Sequence, residues 1–284
     1  MSKQLHKDQL NTLLNNLEKR FVGPVYKTLR KQYSSFIKDI ENGGVDYARR
    51  RISTTIANVD IGKVIERIHR TAGIYMANKT LSALKRINAN KVEKKAIPIN
   101  WQCKYAVFGF NAEWVAEILE YFRQHLLEKV VIGVSNTTRA RLLEILDQAT
   151  ANGWSNDQIV DKLNDLEEIR NRARKIVRTE TVKAANYGVL LGADKYDFEV
   201  VKEWISIPDN RRRHSHALVD SQLRELTDKF SNGLYFPGDP NGEPGEVINC
   251  RCSLTIIPKR DEDGRLIPKK KDSPIIPFSN RLAA

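Results

Sequence analysis

The sequence predicts an α+β protein with a mainly helical N-terminal two-thirds and a small α+β domain at the C-terminus. Apart from residues 91–110, apolar residues recur every three or four positions from the N-terminus to about Leu191, which is the period of an amphipathic helix. After Tyr196 the apolar residues alternate, as they do in a strand. Turn-forming Gly, Pro and Asn dominate residues 228–246, so short strands joined by turns are expected there.

The first hundred residues carry two predicted amphipathic helical segments. Residues 3–40 keep the helical spacing of apolar residues, and Gly23-Pro24 is predicted to kink or divide this segment. Gly43-Gly44 marks a break after it. A second helix is predicted from Asp60 to about Asn90.

The middle of the chain is less regular. Residues 91–98 are typical of a linker, and the aromatic-rich residues 101–110 are predicted to form a short strand or a packed loop. Helical spacing returns over 111–132. Thr137 or Thr138 is expected to cap the next helix, which should end near Asn152-Gly153.

The C-terminal half alternates between strong helix signals and strand signals. Ser155 is expected to cap a short helix, and a long charged helix is predicted over 166–191. V-K-E-W-I-S-I (201–207) and V-I-N-C-R-C-S-L-T-I-I (247–257) are predicted strands, with a short helix over 211–218 between them.

Composition indicates a folded, cytosolically made protein. Hydrophobic residues make up 41% of the 284 residues and charged residues 29%, so a core can form and wholesale disorder is not expected. No apolar run is long enough to span a bilayer, and the N-terminus lacks the apolar core of a secretory signal. Three cysteines do not make a disulfide framework.

The positive charge is concentrated in the first hundred residues. They contain 20 Lys and Arg against 8 Asp and Glu, whereas the rest of the chain carries 27 of each. The excess favours contact with a polyanion or an acidic protein face, although a solvated helix surface gives the same count. Arg49, Arg50 and Arg51 are the candidate DNA contacts, together with Lys269, Lys270 and Lys271 near the C-terminus.

A thiol and imidazole cluster is the candidate metal site. Cys250 and Cys252 are two apart on a predicted strand, so their side chains should face the same way. With His214 and His216 they would make a four-ligand zinc site. The alternatives are that the cysteines are small buried hydrophobes, or that they form a strained short-range disulfide.

The segment 209–216 is rich in groups that form directed ion pairs. Asp209, Arg211, Arg213 and His216 are expected to form a buried network of ion pairs and hydrogen bonds. The alternative is general acid–base chemistry by His216, oriented by Asp209 or Asp220. No nucleophile elbow, phosphate loop or paired carboxylates accompany it.

The order of these motifs resembles the phage Mu F-like minor head protein family, also called phage head morphogenesis proteins. The resemblance covers about residues 150–257. It rests on G-W-S (153–155), R-T-E-T (178–181), A-N-Y-G (185–188), Trp204, D-x-R-x-R-x-S-H (209–216), F-P-G-D-P (236–240) and E-x-I-N-C-R-C (246–252).

The resemblance assigns the family's patterned positions to particular residues of this chain. Arg178 and Glu180 are two apart on a helix, so each is expected to pair with a different neighbour. Members commonly have Asp-Gly shortly after the histidine, where this chain has Asp220-Ser221, which puts the geometry of that turn in question. The assigned positions are Arg178, Thr179, Glu180, Trp204, Asp209, Arg211, Arg213, His216, Cys250, Arg251 and Cys252.

The resemblance implies a minor capsid protein in the head of a tailed bacteriophage or prophage, assembled in the host cytoplasm. Such a protein acts at the portal vertex in head assembly and in DNA packaging or delivery. Its implied partners are the portal protein, the major capsid or scaffolding protein and packaged double-stranded DNA. The expected organisation is a basic helical region (1–100), a helical connecting region (101–150), the shared domain (151–257) and a polar tail (258–284), of which the resemblance covers only the shared domain.

Two enzymatic alternatives accompany this interpretation, although the resemblance implies no enzymatic role. One is a metal-dependent nuclease or other hydrolase built on His214, His216, Asp220, Cys250 and Cys252. The other is an ADP-ribosyltransferase-type toxin, which R-T-E suggests but which would need an E-x-E pair that this segment lacks.

Overall fold

The computed structural model describes residues 2–57, 59–89 and 128–269, together with positions 116 and 120. The predicted linker (91–98), the aromatic segment (101–110), most of the helical segment 111–132 and residues 270–284, including Lys270 and Lys271, lie outside the described residues. The five longer helices are α1 (Ser2–Thr55), α2 (Val59–Ala89), α3 (Glu128–Asn152), α4 (Asn156–Leu163) and α5 (Leu166–Asp194). The predicted fold class is confirmed: long helices precede a small sheet.

Helix α1 is interrupted at Gly44 and not at Pro24. Gly44 has φ 76°, a left-handed conformation that glycine adopts at little cost, so two helical stretches meet there. Pro24 lies inside the helix and does not divide it. Burial of Phe21, Val25 and Leu29 around it gives the helix tertiary support that outweighs the lost backbone hydrogen bond.

Helix α3 contains Thr137 and Thr138 in its interior, so the prediction that one of them caps a helix is wrong. Their hydroxyls donate to the carbonyls of Gly133 and Val134, both at 2.8 Å, which satisfies them inside a helix. The predicted end of the helix is confirmed. Gly153 has φ 65°, and the Trp154 amide donates to the carbonyl of Ala149 at 2.9 Å, as in a Schellman motif.

Helix α4 begins with the predicted cap. The Ser155 side chain accepts from the Gln158 amide, and the Gln158 side chain accepts from the Ser155 amide, which completes a capping box. The long charged helix predicted over 166–191 is α5, which extends to Asp194.

The sheet is antiparallel and has the order β2-β1-β3, with β1 at Val200–Ile205, β2 at Leu223–Glu225 and β3 at Ser253–Pro258. Strand β1 pairs with β3 from Val200↔Pro258 to Ile205↔Ser253. The final strand therefore starts later than predicted, and Cys250 and Cys252 lie just before it. Two short helices, α6 (His214–Leu218) and α7 (Pro244–Val247), lie in the connections, and neither β2 nor α7 was predicted.

The chain divides into two compact units, each assembled from segments that are distant in sequence. The first unit is drawn from residues 1–18, 68–121 and 178–284, and the second from residues 19–67 and 122–177. No helix of the described residues is long and apolar enough to cross a membrane.

Residues 259–269 fold back onto the start of the sheet and do not form a free tail. The Glu199 amide donates to the carbonyl of Ile267, and the Lys259 amide donates to the carbonyl of Glu199. The Lys269 side chain donates to the carbonyls of Ala193 and Asp194 at the end of α5. One apolar cluster of the first unit joins these parts and comprises Leu81, Leu84, Ala193, Tyr196, Val200, Ile87, Phe198, Leu226, Ile256 and Leu266.

Candidate functional site

The motif residues of the first unit converge on residues 246–252, which we call the Cys-Arg-Cys segment. It follows the start of α7 and leads into β3. Helix α5 contacts it from one direction and the loop before α6 from another. Both contacts involve the side chains and the backbone of the Cys-Arg-Cys segment.

Helix α5 binds the Cys-Arg-Cys segment through Arg178 and Thr179. The Asn249 amide donates to the Thr179 hydroxyl at 2.8 Å, and Arg178 donates to the Asn249 side-chain oxygen at 3.1 Å. Arg178 also makes two hydrogen bonds to Glu18, at 2.8 and 3.1 Å. Asn249 has φ 59°, a conformation that asparagine tolerates better than most residues and that these contacts stabilise.

Asn186, further along α5, joins two of the motif segments. Its side-chain nitrogen donates to the carbonyls of Pro237 and Cys252, at 3.0 and 3.2 Å, and its oxygen accepts from the Leu254 amide at 2.9 Å. The side chain is buried, so losing any of these bonds would leave an unpaired polar group inside the unit. Asn186 therefore fixes the F-P-G-D-P loop and the start of β3 to the same helix.

Glu180 lies in a buried charged cluster separate from these contacts. Its carboxylate is 2.7 Å from His69 Nε2 and 2.9 Å from Lys183 Nζ. Burial alone would raise the pKa of Glu180, but Lys183 and His69 outweigh it and lower the pKa to about 2. Burial lowers the pKa of His69. Glu180 is thus a buried carboxylate paired mainly with Lys183, and Arg178 and Glu180 have different partners, as their spacing predicted.

The loop before α6 binds the Cys-Arg-Cys segment through two charged residues, Asp209 and Arg213. Arg251 donates two hydrogen bonds to Asp209, at 2.5 and 2.6 Å, and these lower the pKa of Asp209 well below its usual range. Arg213 donates to the carbonyl of Ile248 at 2.6 Å. Arg211 is exposed, and its guanidinium is 3.9 Å from Asp209.

The structure therefore does not bring Asp209, Arg211, Arg213 and His216 together in one buried network. Asp209 is paired with Arg251, which is 42 residues away in sequence, because the fold brings the Cys-Arg-Cys segment beside the loop. Arg213 uses its donors on a backbone carbonyl, and His216 faces the cysteines.

His216, Cys250 and Cys252 form a compact buried cluster. Cys252 Sγ lies 3.3 Å and Cys250 Sγ 3.8 Å from His216 Nδ1, and the three residues are between 1% and 4% exposed. A hydrogen bond from Cys252 lowers the pKa of Cys250, and His216 adds to that effect. The same bond, together with burial, raises the pKa of Cys252.

Glu246 lies against the other ring nitrogen of His216. Its carboxylate is 3.0 Å from His216 Nε2, close enough for a hydrogen bond but not aligned with the ring N–H. Ser215 donates to the same carboxylate, with distances of 2.8 and 3.0 Å to its two oxygens. Trp204 contacts the imidazole edge-on, with 5.2 Å between the ring centroids. The orientation of His216 is therefore constrained on several sides.

His214 and Asp220 do not join the cluster. Among the described residues, His216, Cys250 and Cys252 are the only group of His, Cys, Asp or Glu with ligand atoms close enough to hold a metal ion together. His214 is exposed, so the predicted four-ligand site lacks this ligand, because residues two apart on a helix point in different directions. Asp220 accepts a hydrogen bond from the Ser206 amide at 2.8 Å, and its carboxylate lies 3.7 Å from the Arg212 guanidinium. These contacts stabilise the turn after α6. The residues of the hydrolase alternative are therefore not assembled into one site.

The turn at Asp220-Ser221 keeps the conformation that a glycine would give it. Ser221 has φ 64° and its amide donates to the carbonyl of Trp204 at 2.8 Å. The serine therefore adopts the left-handed geometry at a conformational cost, and the turn is formed without a glycine.

The three consecutive arginines of the second unit are in different environments. Arg49 is 2.6 Å from Asp147, and Arg51 is 3.2 Å from Asp39 and lies over the ring of Tyr47. Arg50 is exposed, and no hydrogen bond or ion pair joins it to another described residue. Only Arg50 of the three has its whole guanidinium available to a phosphate.

One comparison with known proteins identifies the part of the chain that contains these contacts. Residues 140–255 match the family described as Phage Mu protein F like protein. This match confirms the resemblance predicted from the motifs and supports a phage head morphogenesis protein. No curated protein and no solved structure matches the chain. In this Mu F-like segment, most of the motif residues described above bond to other parts of the first unit.

Sequence reasoning did not single out several buried or hydrogen-bonded residues of the first unit. Lys183 and His69 were not singled out, because their partner Glu180 is found only when distant segments meet. Asn186 and Glu246 stood inside quoted motifs, A-N-Y-G and E-x-I-N-C-R-C, which is the signal that should have marked them. Lys202 is fully buried in β1 and was read only as part of a strand.

Proposed function

We propose that this protein is a minor head protein of a tailed bacteriophage or prophage and that it acts in head assembly at the portal vertex. The observation that carries the proposal is the match of residues 140–255 to the Mu F-like family. In this role the protein is part of the phage head, which assembles in the bacterial cytoplasm. Its proposed partners are the portal protein and the major capsid or scaffolding protein.

The contacts of the motif residues support a structural role and not a catalytic one. Asp209, Arg213 and Asn186 direct their polar groups to other parts of the first unit. Groups engaged in this way stabilise a fold and are not poised for a substrate. We propose that the motif preserves a rigid module whose outer surface binds the other head proteins.

Contact with packaged DNA is the second part of the proposal. The excess of cationic residues lies in the first hundred residues, and exposed side chains such as Arg30, Lys38, Arg50 and Arg67 contribute to it. Such residues bind phosphates without reading sequence. The proposed contact is therefore non-specific and electrostatic.

Quantitative mass spectrometry of purified virions and DNA-free proheads tests the proposal. We expect a few copies per particle in both, because a protein of the portal vertex is incorporated before DNA enters. Peptides of the portal and major capsid proteins from the same particles provide the internal standards for copy number.

Shells assembled without the portal protein are the matched control. We expect them to lack this protein, since its proposed position depends on the portal. Equal amounts in shells with and without a portal would contradict the portal-vertex position. Absence from virions and proheads alike would overturn the assignment to the head.

A further inference from the structure

The distances from His216 to Cys250 and Cys252 are close to those between two ligand atoms of a tetrahedral metal ion. In zinc sites the metal lies about 2.3 Å from sulfur and about 2.0–2.1 Å from nitrogen, so ligand atoms are separated by about 3.5–3.8 Å. The distances from His216 Nδ1 to the two sulfurs are 3.3 and 3.8 Å. All three ligand atoms lie within 4.8 Å of one another.

The environment of the imidazole agrees with this arrangement. A histidine that binds a metal through one ring nitrogen usually presents the other to a carboxylate, which fixes the ring and its tautomer. His216 directs Nδ1 to the sulfurs and has the Glu246 carboxylate 3.0 Å from Nε2. Ser215 in turn donates to that carboxylate. Glu246 lies on the far side of the ring from the sulfurs and is therefore a partner of the ligand and not a ligand itself.

We propose that His216 Nδ1, Cys250 Sγ and Cys252 Sγ bind one Zn²⁺ ion as its three ligands from the described residues. Two thiolates and an imidazole select a borderline divalent ion such as zinc over magnesium or calcium, which prefer oxygen ligands. Binding requires the thiols to release their protons. The proposal does not depend on the proposed function in head assembly.

The ion would clamp α6 to the segment that leads into β3. His216 and the cysteines are separated by 34 and 36 residues, and the chain between them includes the turn-rich segment 228–246. A bond that closes such a loop restricts the unfolded chain and so stabilises the fold. The role inferred is structural: zinc holds the Cys-Arg-Cys segment in the position that Asp209 and Arg213 also contact.

Metal analysis of the purified full-length protein tests the proposal directly. We expect one zinc per chain by native and elemental mass spectrometry, and a lower melting temperature after removal by a chelator. Co²⁺ added to the metal-free protein should give sulfur-to-cobalt charge transfer in the near ultraviolet and intense visible bands of tetrahedral cobalt. Only trace metal after incubation with zinc, with no tetrahedral cobalt spectrum, would overturn the proposal without any mutation.

Neighbouring histidines provide the matched pair of variants. His216→Ala should lose the metal and the cobalt spectrum, whereas His214→Ala, which changes an exposed residue two positions away, should keep both. Glu246→Gln should retain one metal per chain and weaken its affinity by about 10- to 100-fold. The ligand assignment would be overturned if His214→Ala and His216→Ala lost bound metal equally, or if both retained all of it.

Discussion

Ser221 is the residue at which the chain departs most clearly from the turn that its motif favours. The left-handed conformation costs a non-glycine residue about 1–2 kcal/mol, and Ser221 adopts it at φ 64°. Ser221→Gly should therefore stabilise the first unit by about 1 kcal/mol, less the entropy that glycine loses on folding. Urea denaturation would measure the change in the free energy of unfolding.

An exposed helical serine provides the control for that replacement. Ser82→Gly, in α2, should destabilise by about 0.5 kcal/mol because glycine is the poorer helix former. Destabilisation by Ser221→Gly of the same size would show that the turn carries no conformational strain.

Lys202 gives the first unit a specific dependence on pH. Its ammonium is buried and donates to the carbonyls of Leu226 and Tyr235, at 2.7 and 2.9 Å. Burial lowers the pKa of Lys202 from its ordinary value to about 7, against the opposing effect of Asp228 and Asp239. Between pH 7 and 10.5 the unfolded chain therefore binds a proton that the folded chain has released.

The free energy of unfolding should rise with pH through this window because of Lys202. Below about pH 7 both states carry the proton, so the destabilisation is complete there, and it diminishes as pH increases. Lys202→Met should remove a slope of up to about 1.4 kcal/mol per pH unit. Urea denaturation at about pH 7 and about pH 9 measures this slope. The prediction would be refuted if the free energy of unfolding changed equally with pH in the wild-type protein and in Lys202→Met.

At the scale of elements, α2 and α5 approach each other closely through glycines. A Cβ at position 188 would overlap the backbone carbonyl of Gly73, and one at position 192 would overlap that of Ala77. Neither carbonyl can rotate away. Gly188→Ala should therefore destabilise by about 1–3 kcal/mol, although alanine is otherwise the better helix former.

A glycine without close neighbours is the control for this packing. Gly133 lies in α3, and a Cβ at this position would have no described atom within 4 Å, so Gly133→Ala should stabilise by about 0.5–1 kcal/mol. Differential scanning calorimetry would compare the two variants. Higher stability in both variants would mean that α2 and α5 can move apart at little cost in free energy.

Elements with a strong local signal were predictable from sequence, whereas elements and contacts set by distant segments were not. The cap at Ser155 and the end of α3 at Gly153 depend on neighbouring residues and agree with the structure. Helix α1 is not divided at Pro24, because burial of the surrounding helix supports it. At the candidate site, spacing put Cys250 and Cys252 together but did not distinguish His216 from His214. The partner of Asp209 and the role of Glu246 emerge only when segments far apart in sequence meet.

At the scale of the whole molecule, proposed DNA binding is best tested by point substitutions. Deleting residues 1–100 would remove the basic region, but it would also remove Leu81 and Leu84 from the apolar cluster of the first unit and so disrupt that unit. Arg50→Gln should weaken binding at low salt and reduce the slope of log affinity against log salt by about 1, if its guanidinium contacts one phosphate.

Arg211→Gln, which neutralises an exposed arginine of the first unit, is the matched control. It removes the same charge from the whole protein and should leave the salt slope unchanged. Fluorescence anisotropy with a labelled duplex at several salt concentrations measures both. Equal losses of DNA affinity in Arg50→Gln and Arg211→Gln would indicate that net charge alone governs binding.

The division of the chain into units also has a consequence for synthesis on the ribosome. The second unit has all of its residues once residue 177 has emerged, whereas the first unit still awaits residues 178–269. Until then Leu81 and Leu84 of α2 lack Tyr196 and Val200, with which they pack in the finished protein. The nascent chain therefore carries exposed apolar surface late into translation, and chaperones that hold such surfaces have their longest opportunity to bind before the last third of the protein is made.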